Sequence, residues 1–491
     1  MPIADTLELP LSTASGDADT QAFLNDLQGN ILKNHGREYT VNLFCRFPPG
    51  KGPAAKAFIK ALVDDGLVRS ARKQFDDTIA LKAAKAAGHD LPASPAFYAA
   101  FISDEGYAYF ATAAAKRPTD PAFKQMRNRS GELADPNPTS WEPAYKTEFH
   151  AMVLIADTSA SKVENHLTKI KMRLGAAGLQ SGGSYHAEYG TGIFNEAGEG
   201  LEHFGYVDGR SQPLMLVEDI QREIKERGGI DKWSPIFPPN QFVVPDKTGA
   251  TEQSYGSYFV FRKLEEKVRA FKMAERALGS PTNLNVGELA GALVIGRYED
   301  GTPVQVAPLP SSADPVFNNF NYAGEPPNTA QPDGPRCPLH SHIRKSNPRT
   351  DDTRAATMAR RGITYGARHM DTHVNDAGRV ILDEVEPEDR PAGGVGLLFM
   401  SYQASLLKQF EVIQGKWVNA PNYPKVGTGV DPVLSTVKGA GPQHWPTNSW
   451  GAAPTRHLDF FSLNPDGEDP FIKLQGGEYF FAPSLSGLQN L

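Results

Sequence analysis

Apolar residues between positions 20 and 32 fall at helical spacing, with Phe23, Leu24, Leu27 and Ile31 on one face. Residues 1–20 are small and polar and read as a flexible N-terminal tail. The period then changes: residues 39–47 (YTVNLFCRF) are dense in aromatic and β-branched side chains and end at a Pro-Pro pair, which predicts a strand. A helix is predicted over 54–67, a strand over 147–155 and a helix over 161–174, so strands and helices interleave. Residues 234–245 hold four prolines in twelve positions, too many for a regular element. They predict the junction between an N-terminal half, 21–245, and a C-terminal half, 246–491. Beyond it the pattern predicts a strand over 256–262, a helix over 264–277 and a helical stretch through Leu289, Ala290 and Leu293. A buried strand over 394–402, a helix over 404–417 and a closing strand over 478–481 complete it. The two halves are alike in kind, both α+β, without a repeat at the level of residues.

At 491 residues the chain is about three times a typical domain, so one large or two medium domains are expected. Hydrophobic residues at 40% against 22% charged supply a sizeable core. Fifty Lys and Arg against 57 Asp and Glu leave a net charge of −7, which gives no overall positive field for nucleic acid or an anionic membrane. Two cysteines, Cys45 and Cys337, rule out a disulfide scaffold and a four-cysteine metal site. The N-terminus lacks the basic and apolar regions of an export signal, so a cytoplasmic protein is expected. No run of eighteen apolar residues predicts a membrane span.

Three segments carry candidate chemistry. In GYVDG (205–209), glycines bracket Asp208, which reads either as a turn aspartate bonding its own backbone or as an acid presented into a cavity. In CPLHSHIRKSNPR (337–349), Cys337, His340 and His342 read as metal ligands, yet no second cluster completes a structural zinc site. A single histidine beside Arg344 and Arg349 suits haem, with imidazole on the iron and guanidinium groups on the propionates; a solvated basic loop is the plain alternative. In MARRGITYG (358–366) a tandem arginine adjoins an apolar run, and an arginine aimed at a cavity favours developing negative charge.

Taken in order, GYVDG, CPLHSHIRKSNPR, RRGITYG and GLLFMSYQ with a following IQGKW resemble the dye-decolorising (DyP-type) haem peroxidases, in their longer class. The likeness runs from LQGNIL (27–32) to GGEYFF (476–481), nearly the whole chain. The resemblance implies two ferredoxin-like halves, each an antiparallel sheet packed with helices, and haem b held mainly by the C-terminal half. It places the catalytic acid on Asp208, the iron ligand on His342 with His340 as second choice, and the catalytic arginine on Arg360. Asp431 matches the acid that hydrogen-bonds the iron-ligating histidine, Arg344, Asn347 and Arg349 match positions near the propionates, and Leu397 and Phe399 match apolar pocket residues. Tyr365 and Trp417 fall where surface aromatics would pass electrons from bulky dyes, with core packing as the competing reading.

The activity so implied is reduction of hydrogen peroxide through an oxyferryl intermediate, with dyes, phenols or other aromatic donors oxidised. The partners are then hydrogen peroxide and aromatic electron donors, without nucleic acid or membrane, in a monomer or homodimer. A haem carrier or sensor without turnover is the alternative; it has no use for Asp208 and Arg360.

Overall fold

The aromatic and β-branched run after residue 38 forms strand β1 (Tyr39–Arg46). Nine further strands share its sheet: β2 (Phe97–Ile102), β3 (Ala151–Asp157), β4 (Ser184–Thr191), β5 (Tyr255–Glu266), β6 (Ile363–Tyr365), β7 (Gly396–Gln403) and β8 (Ile472–Ala482), with short strands Val244–Pro245 and Ala359–Arg360 paired onto β5 and β7. The computed structural model describes residues 3–87, 95–280, 283–311, 318–322, 336–368, 371–376, 378–438, 441–452, 454–467 and 470–491.

Across the sheet the strands run β6, β7, β5, β8, β2, β3, β1, β4, every neighbour antiparallel. Within each half the order is fourth, first, third, second, the ferredoxin-like arrangement. Helix α1 (Gly52–Asp64) follows β1, α2 (Ala160–Ala176) connects β3 to β4, and α3 (Val268–Gly279) follows β5. Helix α2 turns an apolar stripe, Val163, Leu167, Ile170 and Leu174, to β1 and β3, and the Ser159 hydroxyl caps its first turn.

The halves join where Phe481 of β8 pairs with Ile102 of β2. The outer edges also meet, because the Thr364 hydroxyl of β6 donates to the Thr191 carbonyl of β4. Gly190 of β4 lies so close to Ile363 that any Cβ would collide with it. The sheet therefore curls back on itself and leaves no long open edge. Aromatic rings from both halves fill its inside: Phe101 and Phe259 lie 4.2 Å apart between centroids, and Phe44 and Phe261 lie 4.8 Å apart. Such pairs contribute about 1 kcal/mol each beyond the area they bury.

Three expectations change. The supposed tail is packed: Ile3, Leu7 and Leu11 are buried, and the Leu11 amide donates to the Met215 carbonyl at 2.9 Å. Three apolar residues spaced four apart suffice to dock it, although the composition is polar. Strand β5 runs on to Glu266, so the helix expected from 264 begins at Val268. Alternation decides this: Arg262, Leu264 and Glu266 face one way while Phe259, Phe261 and Lys263 face the other. The helix expected over 404–417 is instead two wide, π-type stretches, Leu406–Phe410 and Val412–Val418. Strands β2 and β4 and the helix Ala71–Ala86 have no counterpart in the expected pattern.

Candidate functional site

Outside the curled sheet, against the C-terminal half, lies a cavity of about 260 Å³. Strand alternation supplies one wall: Arg262, Leu264 and Glu266 of β5, and Leu397 and Phe399 of β7. Opposite parity places Leu398 and Met400 in the core. Ile295, Ile343, Phe410, Ile413 and Val433 add further apolar surface.

His342 opens the short helix α4 (His342–Ser346) and lines this cavity. Its Nδ1 lies 2.9 Å from Oδ2 of Asp431, whose side chain is 0% exposed. The other Asp431 oxygen accepts the amides of Val433 at 2.8 Å and Leu434 at 3.0 Å, so the carboxylate is fixed. That contact puts the imidazole proton on Nδ1 and leaves the lone pair on Nε2. Burial pulls the His342 pKa down, but the charge and hydrogen bond of Asp431 outweigh it, and the pKa stands above the ordinary imidazole value. Lys345, one turn on, donates to the carbonyls of Ala420 (2.9 Å), Tyr423 (2.6 Å) and Gly429 (2.6 Å), and so clamps the loop that ends at Asp431.

Asp208 stands in the turn that follows Gly200–Leu201, its amide donating to the Gly200 carbonyl at 3.0 Å. Gly205 and Gly209 take φ of +100° and +77°, which only glycine adopts without strain, and the chain can double back there. Arg360 lies in a short strand, Ala359–Arg360, paired with β7. Its backbone amide donates to Gln212, and its guanidinium donates to the Arg210 carbonyl at 2.8 Å and stands 3.7 Å from Asp208 Oδ1. Both line the cavity, with side chains 40% and 33% exposed. The charges of both reach His342, Arg360 lowering its pKa and Asp208 raising it.

Arg349 donates only to neutral acceptors: the Asn318 and Phe320 carbonyls, Ser211 and the Asn318 side chain. Arg297 likewise donates to the Gly301 carbonyl at 2.8 Å and to Asn318. Among the described residues neither pairs with a carboxylate. Burial pushes Arg297 down to about 9, with the Arg349 charge adding to it, and Arg349 down to about 10, with Tyr322 and Cys337 opposing only in part. A ligand carboxylate at this end of the cavity would relieve that cost.

Of the expected site residues, Asp208, His342, Asn347, Arg349, Arg360, Leu397, Phe399 and Trp417 line the cavity, and Asp431 stands behind His342. Arg344 does not; its guanidinium turns to the Cys337 carbonyl and lies 4.8 Å from the Tyr322 ring centre. Residues on successive positions of a helical turn face different ways, so only part of the basic run can reach the cavity. His340 is buried 4.3 Å from the Trp445 ring centre, and burial pushes the Cys337 thiol up to about 11. Among the described residues, Cys337, His340 and His342 do not converge on a common ion site. Tyr365 and Trp417 are not surface aromatics: they are 8% and 9% exposed, one beneath the Lys263 ammonium and one stacked on Tyr423 at 5.1 Å.

Several cavity residues have no forerunner in the sequence reading, among them Glu202, Arg262, Glu266 and Arg297. Alternation along β5 is the signal that would have found Arg262 and Glu266; no local pattern marks the other two. Arg361, at the cavity wall, donates to the carbonyls of Asn30 and Ile31, pinning the LQGNIL segment to the site.

No family model matches the sequence. The chain is 38% identical, over the full length of both, to the multifunctional dye peroxidase DyP2 of Amycolatopsis sp.. That protein's solved structure superposes with a TM-score of 0.84, covering 99% of this chain and 100% of the other. A DyP-type peroxidase of Anabaena sp. superposes equally well, at 0.84 and 35% identity over 98% and 96% of the two chains. A dye-decolorizing peroxidase of Mycena epipterygia is 30% identical over 72% of this chain and 68% of its own.

Proposed function

This chain belongs to the dye-decolorising (DyP-type) peroxidases and is a peroxidase that oxidises dyes, and on that premise we propose that it works with haem b seated on His342, with Asp208 and Arg360 as its catalytic pair. The donor set suits such a group. Nε2 of His342 carries a free lone pair, the walls are apolar and wide, and two buried guanidinium groups lack an anion. Arg297, Arg349 and Asn347 would hold the propionates, and Leu397 and Phe399 would lie against the macrocycle. When bound, the group supplies a redox-active iron able to accept the oxidising equivalents of peroxide.

The residues of the chain supply the rest. The Asp431 carboxylate, bonded to Nδ1, makes the imidazole a stronger donor and keeps its ring orientation fixed. Asp208 would take the proton from one peroxide oxygen and return it to the other, which departs as water. Arg360, at the Asp208 carboxylate, balances the negative charge that develops on that departing oxygen. Dyes and other aromatic donors then return the electrons one at a time.

The observation that carries this reading is the shared cavity: an imidazole braced by a buried carboxylate and an Asp–Arg pair whose charges it feels. A carrier would need the first and not the second. The test is the visible absorption spectrum of purified protein supplied with haem, before and after equimolar hydrogen peroxide. A Soret band that shifts on peroxide is expected; a band inert to peroxide would overturn the catalytic reading, and failure to bind haem would overturn the cofactor.

A further inference from the structure

Two acids in the cavity wall have no part in that scheme. Glu266, at the end of β5, is 2% exposed and its Oε2 meets no backbone or side-chain donor. The Glu202 carboxyl group stands beside it in the same wall, and its charge raises the Glu266 pKa. Glu202 accepts the amides of Phe204 and Tyr206, each at 2.8 Å, and thereby shapes the turn that presents Asp208. Glu202, Glu266 and Asp208 all line the same cavity.

Two buried carboxylates in contact cannot both be ionised, and an anionic Glu266 would leave Oε2 without a donor. A protonated Glu266 resolves this by donating to Glu202, which the two amides favour as the anion. The nearby cations do not neutralise the pair. Arg368 is committed to Asp371 and to the His203 carbonyl, and Lys272 to Glu275 and Glu299. Their charges ease the burden only in part: burial pushes Glu202 up to about 7, with the Asp208 charge adding to it and Lys272 opposing. Glu266 stands well above the carboxylate range, through burial and the Glu202 charge, with Arg368 opposing and Asp208 adding.

We propose that Glu202 and Glu266 share a proton that is passed to Asp208 during turnover, so that the pair is the proton store of the peroxidase site. The proposal rests on the function proposed above. Each turnover is H2O2 + 2 electrons + 2 protons → 2 H2O, with two dye molecules each giving one electron. The two protons must enter a largely apolar cavity. Glu266 releases its proton through Glu202 to Asp208 and is reprotonated from solvent afterwards. Both glutamates act through Asp208 and are positioning residues for its proton.

Infrared spectroscopy on the cofactor-free protein tests the store directly. A carboxylic-acid carbonyl band that shifts in D2O is expected at neutral pH and should be weakened in Glu266→Gln, which keeps a hydrogen-bond donor toward Glu202. Glu288 and the buried Glu478, both pushed up to about 7, contribute bands of their own, so the difference between the two proteins is the reading. In the haem-loaded protein, Glu266→Gln is expected to slow peroxide consumption about tenfold at neutral pH. The alkaline limb of its pH profile should move down by about one unit, because Glu202 loses its acidic neighbour. A purely structural role would lower stability and leave that limb in place. If the variant misfolds, a wild-type band must still persist above pH 7, where Glu288 and Glu478 have ionised and Glu266 has not. An unaltered band in Glu266→Gln, a wild type without the band, or an unmoved pH limb each overturns the store. A wild type inert to peroxide overturns the function beneath it as well.

Discussion

Around His342 the polar groups are tied down: Asp431 is fully buried with both oxygens engaged, and Lys345 pins three carbonyls of the adjoining loop. Around Asp208 the arrangement is loose. Its carboxylate is 40% exposed and meets Arg360 only at 3.7 Å, beyond hydrogen-bond distance. A group that holds a cofactor gains from fixed geometry, whereas a group that must meet peroxide, move a proton and release water gains from room and solvent access. On the proposed function the same cavity has a holding region and a reacting region, and they differ in how completely each polar atom is already satisfied.

The largest effect comes from removing the held group. His342→Ala is expected to abolish the Soret band and all peroxidase activity, which absorption after haem addition checks; Arg360→Leu, in the reacting region, should keep the band. Its loss is expected in the peroxide step alone, about 3 kcal/mol or roughly a hundredfold, read by stopped-flow absorption. Wild-type speed in that variant would show that the loose region is not where charge is stabilised.

Asp431→Asn loosens the holding region without emptying it, and a loss on the order of tenfold in haem affinity is expected by titration. It also has a signature in cofactor-free protein. Because Asp431 holds the His342 pKa above its ordinary value, the pair contributes stability that is fully present below about pH 6.5 and is lost as pH rises through the raised value. Asp431→Asn should flatten that part of the stability profile, measured by chemical denaturation across pH. The smallest effect is expected from Trp417→Phe, which breaks the stack on Tyr423: a loss of about 1.5 kcal/mol in stability with dye turnover kept, since the indole is buried. Impaired dye oxidation with an intact peroxide step would assign Trp417 to electron transfer instead.

Much of the site was legible as ordered motifs, because Asp208, His342 and Arg360 each stand in a short segment whose residue types are unusual together. Arg344 shows the limit of that reading: it belongs to the same run as His342 and Arg349, yet its side chain leaves for the Cys337 carbonyl. Glu202 and Glu266 show the other limit. Nothing local distinguishes Glu202 from a surface glutamate, and although alternation turns Glu266 to the cavity, only the meeting of the turn at 202–206 with the end of β5 brings the two acids into one wall.

For the fold, alternation and helical spacing determined that this chain is built of interleaved strands and helices in two similar parts, since those periods are properties of the local backbone. Which strand lies beside which was decided by tertiary structure alone. The order fourth, first, third, second is repeated in both halves, and the contact of Thr364 with Thr191 that closes the sheet joins residues 173 positions apart. Such contacts depend on how apolar faces share one interior, which no local stretch of sequence encodes.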